Sequence, residues 1–147
     1  MDLSKINTLG AVLTVSVLSI CILIFTFRLL AYAKAEYWLG ILLIVIVVPL
    51  TYLLFTAKQF QRPPIFYIQV GMIIAFLLIE FFVDYIFKLD FRNTTWMIII
   101  YLIFFFGGTG GMIGIASLAG RIWMLISVGL FLIMTALALI QRAITGM

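Results

Sequence analysis

Glu80 and Asp84 sit inside "IIAFLLIEFFVDYIFKLDF", residues 73–91, a stretch otherwise dominated by hydrocarbon side chains. A carboxylate in such surroundings is costly and has either a partner or a task. The two residues are four apart, which places them on one face of a helix, and Lys88 extends that stripe by a further turn. At the rise of an α-helix, Glu80 lies roughly 12 Å below the end of the segment and Asp84 roughly 6 Å. Asp84 therefore reaches the interface and can pair with Lys88, whereas Glu80 is too deep and too short to do so. Its expected direction is the interior of a helix bundle. Gln69, near the opposite end of the same segment, is its one strongly polar companion there.

Three kinds of chemistry fit this pattern. In the first, the carboxylates are structural and cations on the same side neutralise them. Arg28, Lys88, Arg92 and Arg142 are the candidate charge partners, with Lys34 on the same face. In the second, Glu80 and Asp84 form a proton or cation site. A carboxylate removed from water holds its proton to higher pH, so it can load and release one near neutrality. A pair of carboxylates can also hold a hard cation with the help of backbone carbonyls. In the third, the two act as an acid and base in catalysis. The third has the least support. The chain has no histidine and no Gly-x-Ser-x-Gly elbow, so the commonest general base, histidine-ligated haem and most zinc chemistry are excluded. No metal site or cofactor is indicated, and no catalytic residue is assigned.

"GGTGGMIG", residues 107–114, is the second unusual stretch. A phosphate-binding loop requires a preceding strand and a Lys-Ser/Thr pair, and neither is present. On a helix, Gly107, Gly110, Gly111 and Gly114 fall within about 100° of one another. They form two overlapping small-xxx-small pairs, the pattern that lets helix backbones approach closely in a membrane. The contact is expected within the chain, with Gly71 and Ala75, or with another copy or subunit. The alternative is a broken helix, since unwound backbone at the midplane is a common way to build an ion or substrate site.

These residues are carried by elements that composition defines. The 147-residue chain is 67% hydrophobic and 10% charged, against about 45–50% and about 25% in soluble domains. No water-soluble core hides that much apolar surface, so the chain reads as an all-α integral membrane protein forming a single domain. Five stretches reach the length of about 20 residues that a spanning helix needs: Leu9–Phe27, Tyr37–Ala57, Ile65–Phe87, Trp96–Ala119 and Ile122–Ile140. Trp38, Trp96 and Trp123 each fall at the start of a span, as interface-seeking rings should. Tyr101 is an exception, about a turn and a half inside the fourth span. A four-helix bundle with the glycine stretch as a re-entrant segment is the alternative topology. Pro49 is expected to kink the second span, and "RPP" at 62–64 to end one helix and open the next.

The first apolar run, about 19 residues, exceeds the usual h-region of a signal peptide, so "AYA" at 31–33 is not expected to be a cleavage site. The formal charge of +4 comes from basic residues scattered over the segment ends. That distribution fits head-group anchoring and not a nucleic-acid surface. Lys5, Lys58, Arg62 and Arg121 fall on one side, and Arg28, Lys34, Lys88, Arg92 and Arg142 on the other; the N-terminal amine evens the count, so charge does not decide the orientation. The single cysteine, Cys21, forms no internal disulfide. The reading is a multi-pass protein of the cell membrane that moves, or helps to move, a proton, cation or small solute. The other is a non-catalytic subunit whose charges and glycines serve packing. The expected partners are the lipid bilayer and either further copies of the chain or a partner membrane subunit.

Overall fold

The computed structural model describes residues 3–82 and 95–145. Five helices account for nearly all of them: α1 (Leu3–Leu29), α2 (Ala33–Ala57), α3 (Pro64–Phe81), α4 (Thr95–Ser117) and α5 (Arg121–Thr145). By length and composition all five are apolar enough to cross a membrane, the pattern of a multi-pass membrane protein. α1 starts at Leu3 and α5 continues to Thr145, so both extend beyond the apolar runs into polar flanks. Helical hydrogen bonding does not stop where hydropathy falls, and Arg142 in the last turn of α5 sits at the negative end of the helix dipole. The expected end of the third span at Phe87 lies outside the described residues, as do Asp84, Lys88 and Arg92.

Consecutive helices pack as neighbours. α1, α2, α3 and α4 form a closed ring in which α4 returns against α1, and α5 lies across α1 and α4. α1 and α3 are diagonal in that ring. Side chains from all four helices fill its centre: Val17, Leu18, Leu50, Leu53, Val70, Ile73, Leu77, Met112 and Ile115, all fully buried. Trp38 and Trp96 stand outside at helix starts, 60% and 63% exposed.

Two of the turns close in the same unusual way. The Tyr32 N–H donates to the Phe27 carbonyl at 2.9 Å and the Ala31 N–H to the Arg28 carbonyl at 3.3 Å. After α2, Arg62 donates to Ala57 at 3.0 Å and Gln61 to Lys58 at 3.2 Å. This is the Schellman arrangement, whose left-handed residue is ordinarily glycine. Here it is Ala31, with φ 62°, and Gln61, with φ 53°. Pro63 then caps α3 from an extended conformation, with Pro64 in its first turn. α2 runs unbroken through Pro49.

α4 is also continuous through its glycines, which corrects the broken-helix and re-entrant readings. The energetic balance explains why. A helical glycine costs about 1 kcal/mol relative to alanine, whereas each backbone group left unpaired in hydrocarbon costs several. The absent side chains are used for contact instead. A Cβ on Gly108 would stand 3.1 Å from the Ile73 Cα, and one on Gly111 would stand 3.4 Å from Gln69 Cγ. A Cβ on Gly114 would overlap the Gln69 amide, and one on Gly107 would meet the tip of Met72 at 2.6 Å. Gly110 alone faces α5, toward Phe131. The partner residues on α3 are thus Gln69, Met72 and Ile73, not Gly71 and Ala75. Gly71 has open space around it.

Candidate functional site

The site grows from the ends of four helices that meet on one side of the bundle. α3 brings Glu80 one residue before its described end. α4 enters the same layer at Thr95 and presents Tyr101 nearly two turns in. The Tyr101 hydroxyl donates a hydrogen bond to Glu80 Oε1. α1 contributes Cys21, Phe25 and Arg28, and α2 contributes Leu43. Glu80 is half-buried and lines the space inside the ring.

Aromatic rings hold this geometry. The Phe76 ring meets Tyr101 at 5.5 Å and Phe105 at 5.3 Å, both edge-on, and Phe105 meets Phe25 at 5.9 Å. Tyr101 and Phe105, one turn apart, stack with their planes 9° from parallel. Edge-to-face pairs of this kind are worth about 0.5–1.5 kcal/mol beyond the area they bury. They fix the Tyr101 ring and hence the direction of its hydroxyl.

Arg28 lines the same space, but its ion pair is with Glu36. Arg28 Nη2 stands 2.6 Å from Glu36 Oε1 and Nε donates to the same oxygen at 2.7 Å. The pair follows directly from the Ala31 turn, which folds the first turn of α2 back over the last turn of α1. Phe27 and Tyr32 pack edge-on across the turn at 6.2 Å. Arg28 also lies over the Phe25 ring at 5.7 Å. The pocket lined by Cys21, Phe25, Arg28, Glu80 and Tyr101 has a volume of about 20 Å³, enough for about one water molecule. Around one water-sized space, the Glu80 carboxylate and the Tyr101 hydroxyl can pass a proton through a water, while the Arg28 guanidinium stays charged. The space does not admit a solute.

Of the residues singled out from the sequence, Glu80 and Arg28 come together here. Arg142 is elsewhere, on the α5 wall of a larger groove. Asp84, Lys88 and Arg92 lie outside the described residues, so the carboxylate dyad cannot be placed. Gln69 is corrected as a companion of Glu80, since it packs on Gly111 and Gly114. Among the described residues, no group of three or more His, Cys, Asp or Glu side chains could hold a metal. Sequence reasoning missed Tyr101 as the donor to Glu80, Glu36 as the partner of Arg28, and Gly108 as the point where α4 meets the α3 backbone. The sequence matches no known protein-family model, no curated protein and no solved structure at a significant level.

Proposed function

We propose that this is a small protein of the cell membrane that binds and releases a proton at Glu80 and thereby mediates or supports proton movement. The observation that carries the reading is the Tyr101 hydroxyl bonded to the Glu80 carboxylate across two helices, at a cavity of about 20 Å³. The size of that cavity favours a proton over a cation or small solute, because a hydrated ion needs several waters or replacement ligands.

A second reading is that the protein is a non-catalytic membrane subunit, with Glu80–Tyr101 and Arg28–Glu36 acting as clamps between helices. The glycine seam favours it, because that face of α4 is spent on packing within the chain. Purified protein in sealed liposomes with an internal pH dye separates the two. Proton uptake abolished by Glu80→Gln, in a variant that still folds, supports the working site. No flux in either form supports the packing role.

A further inference from the structure

On the other side of Tyr101 and Phe105 lies a groove of about 510 Å³ between α1, α4 and α5. α4 and α5 are joined by the tight turn at Leu118–Gly120 and touch where Phe106 meets Phe131, ring centroids 6.3 Å apart. From there toward Thr95 and Arg142 they part. The small side chain of Ala138 leaves the gap open on the α5 side. The volume falls within the range of sites that enclose a whole small ligand, about 300–1,000 Å³.

The groove is chemically asymmetric. Its long walls are hydrocarbon, from Ile98 and Leu102 on α4 and Leu139 on α5. Its outer end carries Arg28, Gln141 and Arg142. Gln141 is 2% exposed, so a polar side chain is held at this end inside the fold. Among the described residues, the Glu36 carboxylate offsets the charge of Arg28, and the exposed Arg142 supplies the net attraction for an anion. An apolar slot closed by a cation at interface depth complements an anionic lipid, acyl chain inward and phosphate outward. Basic pockets between transmembrane helices recognise such head groups.

We infer that this groove is a binding site for one molecule of anionic phospholipid, its phosphate at Arg142 and an acyl chain between Leu102 and Leu139. The inference stands apart from the proton reading, although Phe25, Arg28, Tyr101 and Phe105 line both spaces.

The test is lipid retention by the purified full chain in detergent. It is read by native mass spectrometry during titration with dioleoyl phosphatidylglycerol and, separately, dioleoyl phosphatidylcholine. The parent protein should prefer the anionic lipid about fivefold, the effect of one arginine near a membrane surface. Arg142→Gln should abolish that preference while weak retention of both lipids persists. Ala138→Phe fills the slot and should weaken both lipids alike. If that variant does not insert, Arg142→Gln still decides. Equal retention of the two lipids by the parent, or a preference that survives Arg142→Gln, overturns the inference. Displacement of the bound lipid by millimolar glycerol phosphate also overturns it, since the acyl chain then contributes nothing. Absence of any retained lipid does so as well and gives the groove to another occupant, such as a second copy of the chain.

Discussion

Tyr101 of α4 donates its hydroxyl to the carboxylate of Glu80 on α3, while Arg28, lining the same cavity, is held by Glu36. Because Arg28 and Glu80 line one space, the guanidinium charge also bears on the carboxylate. The guanidinium locks the α1–α2 turn, and the phenol sets the position of the membrane carboxylate. The first prediction tests that coupling. Tyr101→Phe should cost about 1 kcal/mol, between the ~0.6 average for interhelical hydrogen bonds in bilayers and the larger values for bonds to charged groups. A double-mutant cycle with Glu80→Ala, which removes the acceptor, read by reversible unfolding in mixed micelles, should return most of that as interaction energy. Additive losses would mean that the two side chains do not act together.

The glycine seam yields a ranking. Gly108→Ala drives a methyl against the Ile73 backbone at 3.1 Å, and backbone does not yield readily. A loss of about 1–3 kcal/mol is expected, as for other overpacked sites. Gly107→Ala meets only the flexible tip of Met72 and should cost less. Gly110→Ala stands 4.0 Å from Phe131 and should be neutral or stabilising, since alanine gains about 1 kcal/mol of helix propensity. Thermal denaturation of the three variants in one detergent checks the order. Equal losses at all three positions would contradict the packing described for α4.

Ala31 and Gln61 hold left-handed backbone conformations in the Schellman turns. That conformation costs a side-chain-bearing residue about 1–2 kcal/mol. Glycine removes the cost but adds freedom to the unfolded chain. Ala31→Gly and Gln61→Gly should therefore each stabilise by about 0.5–1 kcal/mol. Gly120→Ala, at φ 143°, should do the opposite. A rise in unfolding midpoint for the first two with a fall for the third is the expected outcome.

Much of this organisation was legible in the residues, and the failures share a cause. The spans were readable because hydropathy acts locally. The expected inward direction of Glu80 came from helical rise counted from a span end at Phe87, which lies outside the described residues. Tyr101 was visible as a tyrosine out of its interface position, but its role depended on which helix stood opposite α3. The glycine stripe likewise fixed a direction on α4 and not the neighbour it faces. Gln69 was misassigned to Glu80 although eleven residues of helix, roughly 16 Å, separate them. The Arg28–Glu36 pair depends on a turn whose left-handed residue is alanine, so the usual glycine signal was missing.

That ion pair gives the last prediction. Arg28 and Glu36 are 16% and 29% exposed, so the pair is neither a surface bridge nor a fully buried one. Isolated surface pairs contribute about 0–1 kcal/mol, and removing one partner of a buried pair costs about 3–5. At this depth, Glu36→Gln should cost about 1–2 kcal/mol. Arg28→Gln should cost more, because it also removes the stem and the contact over Phe25. The loss for Glu36→Gln should persist at high salt, since a pair this sheltered is weakly screened. Unfolding midpoints of both variants at 0.05 M and 1 M salt decide the matter. A loss that vanishes at high salt would place the pair in open solvent and undo its assignment as the lock of the α1–α2 turn.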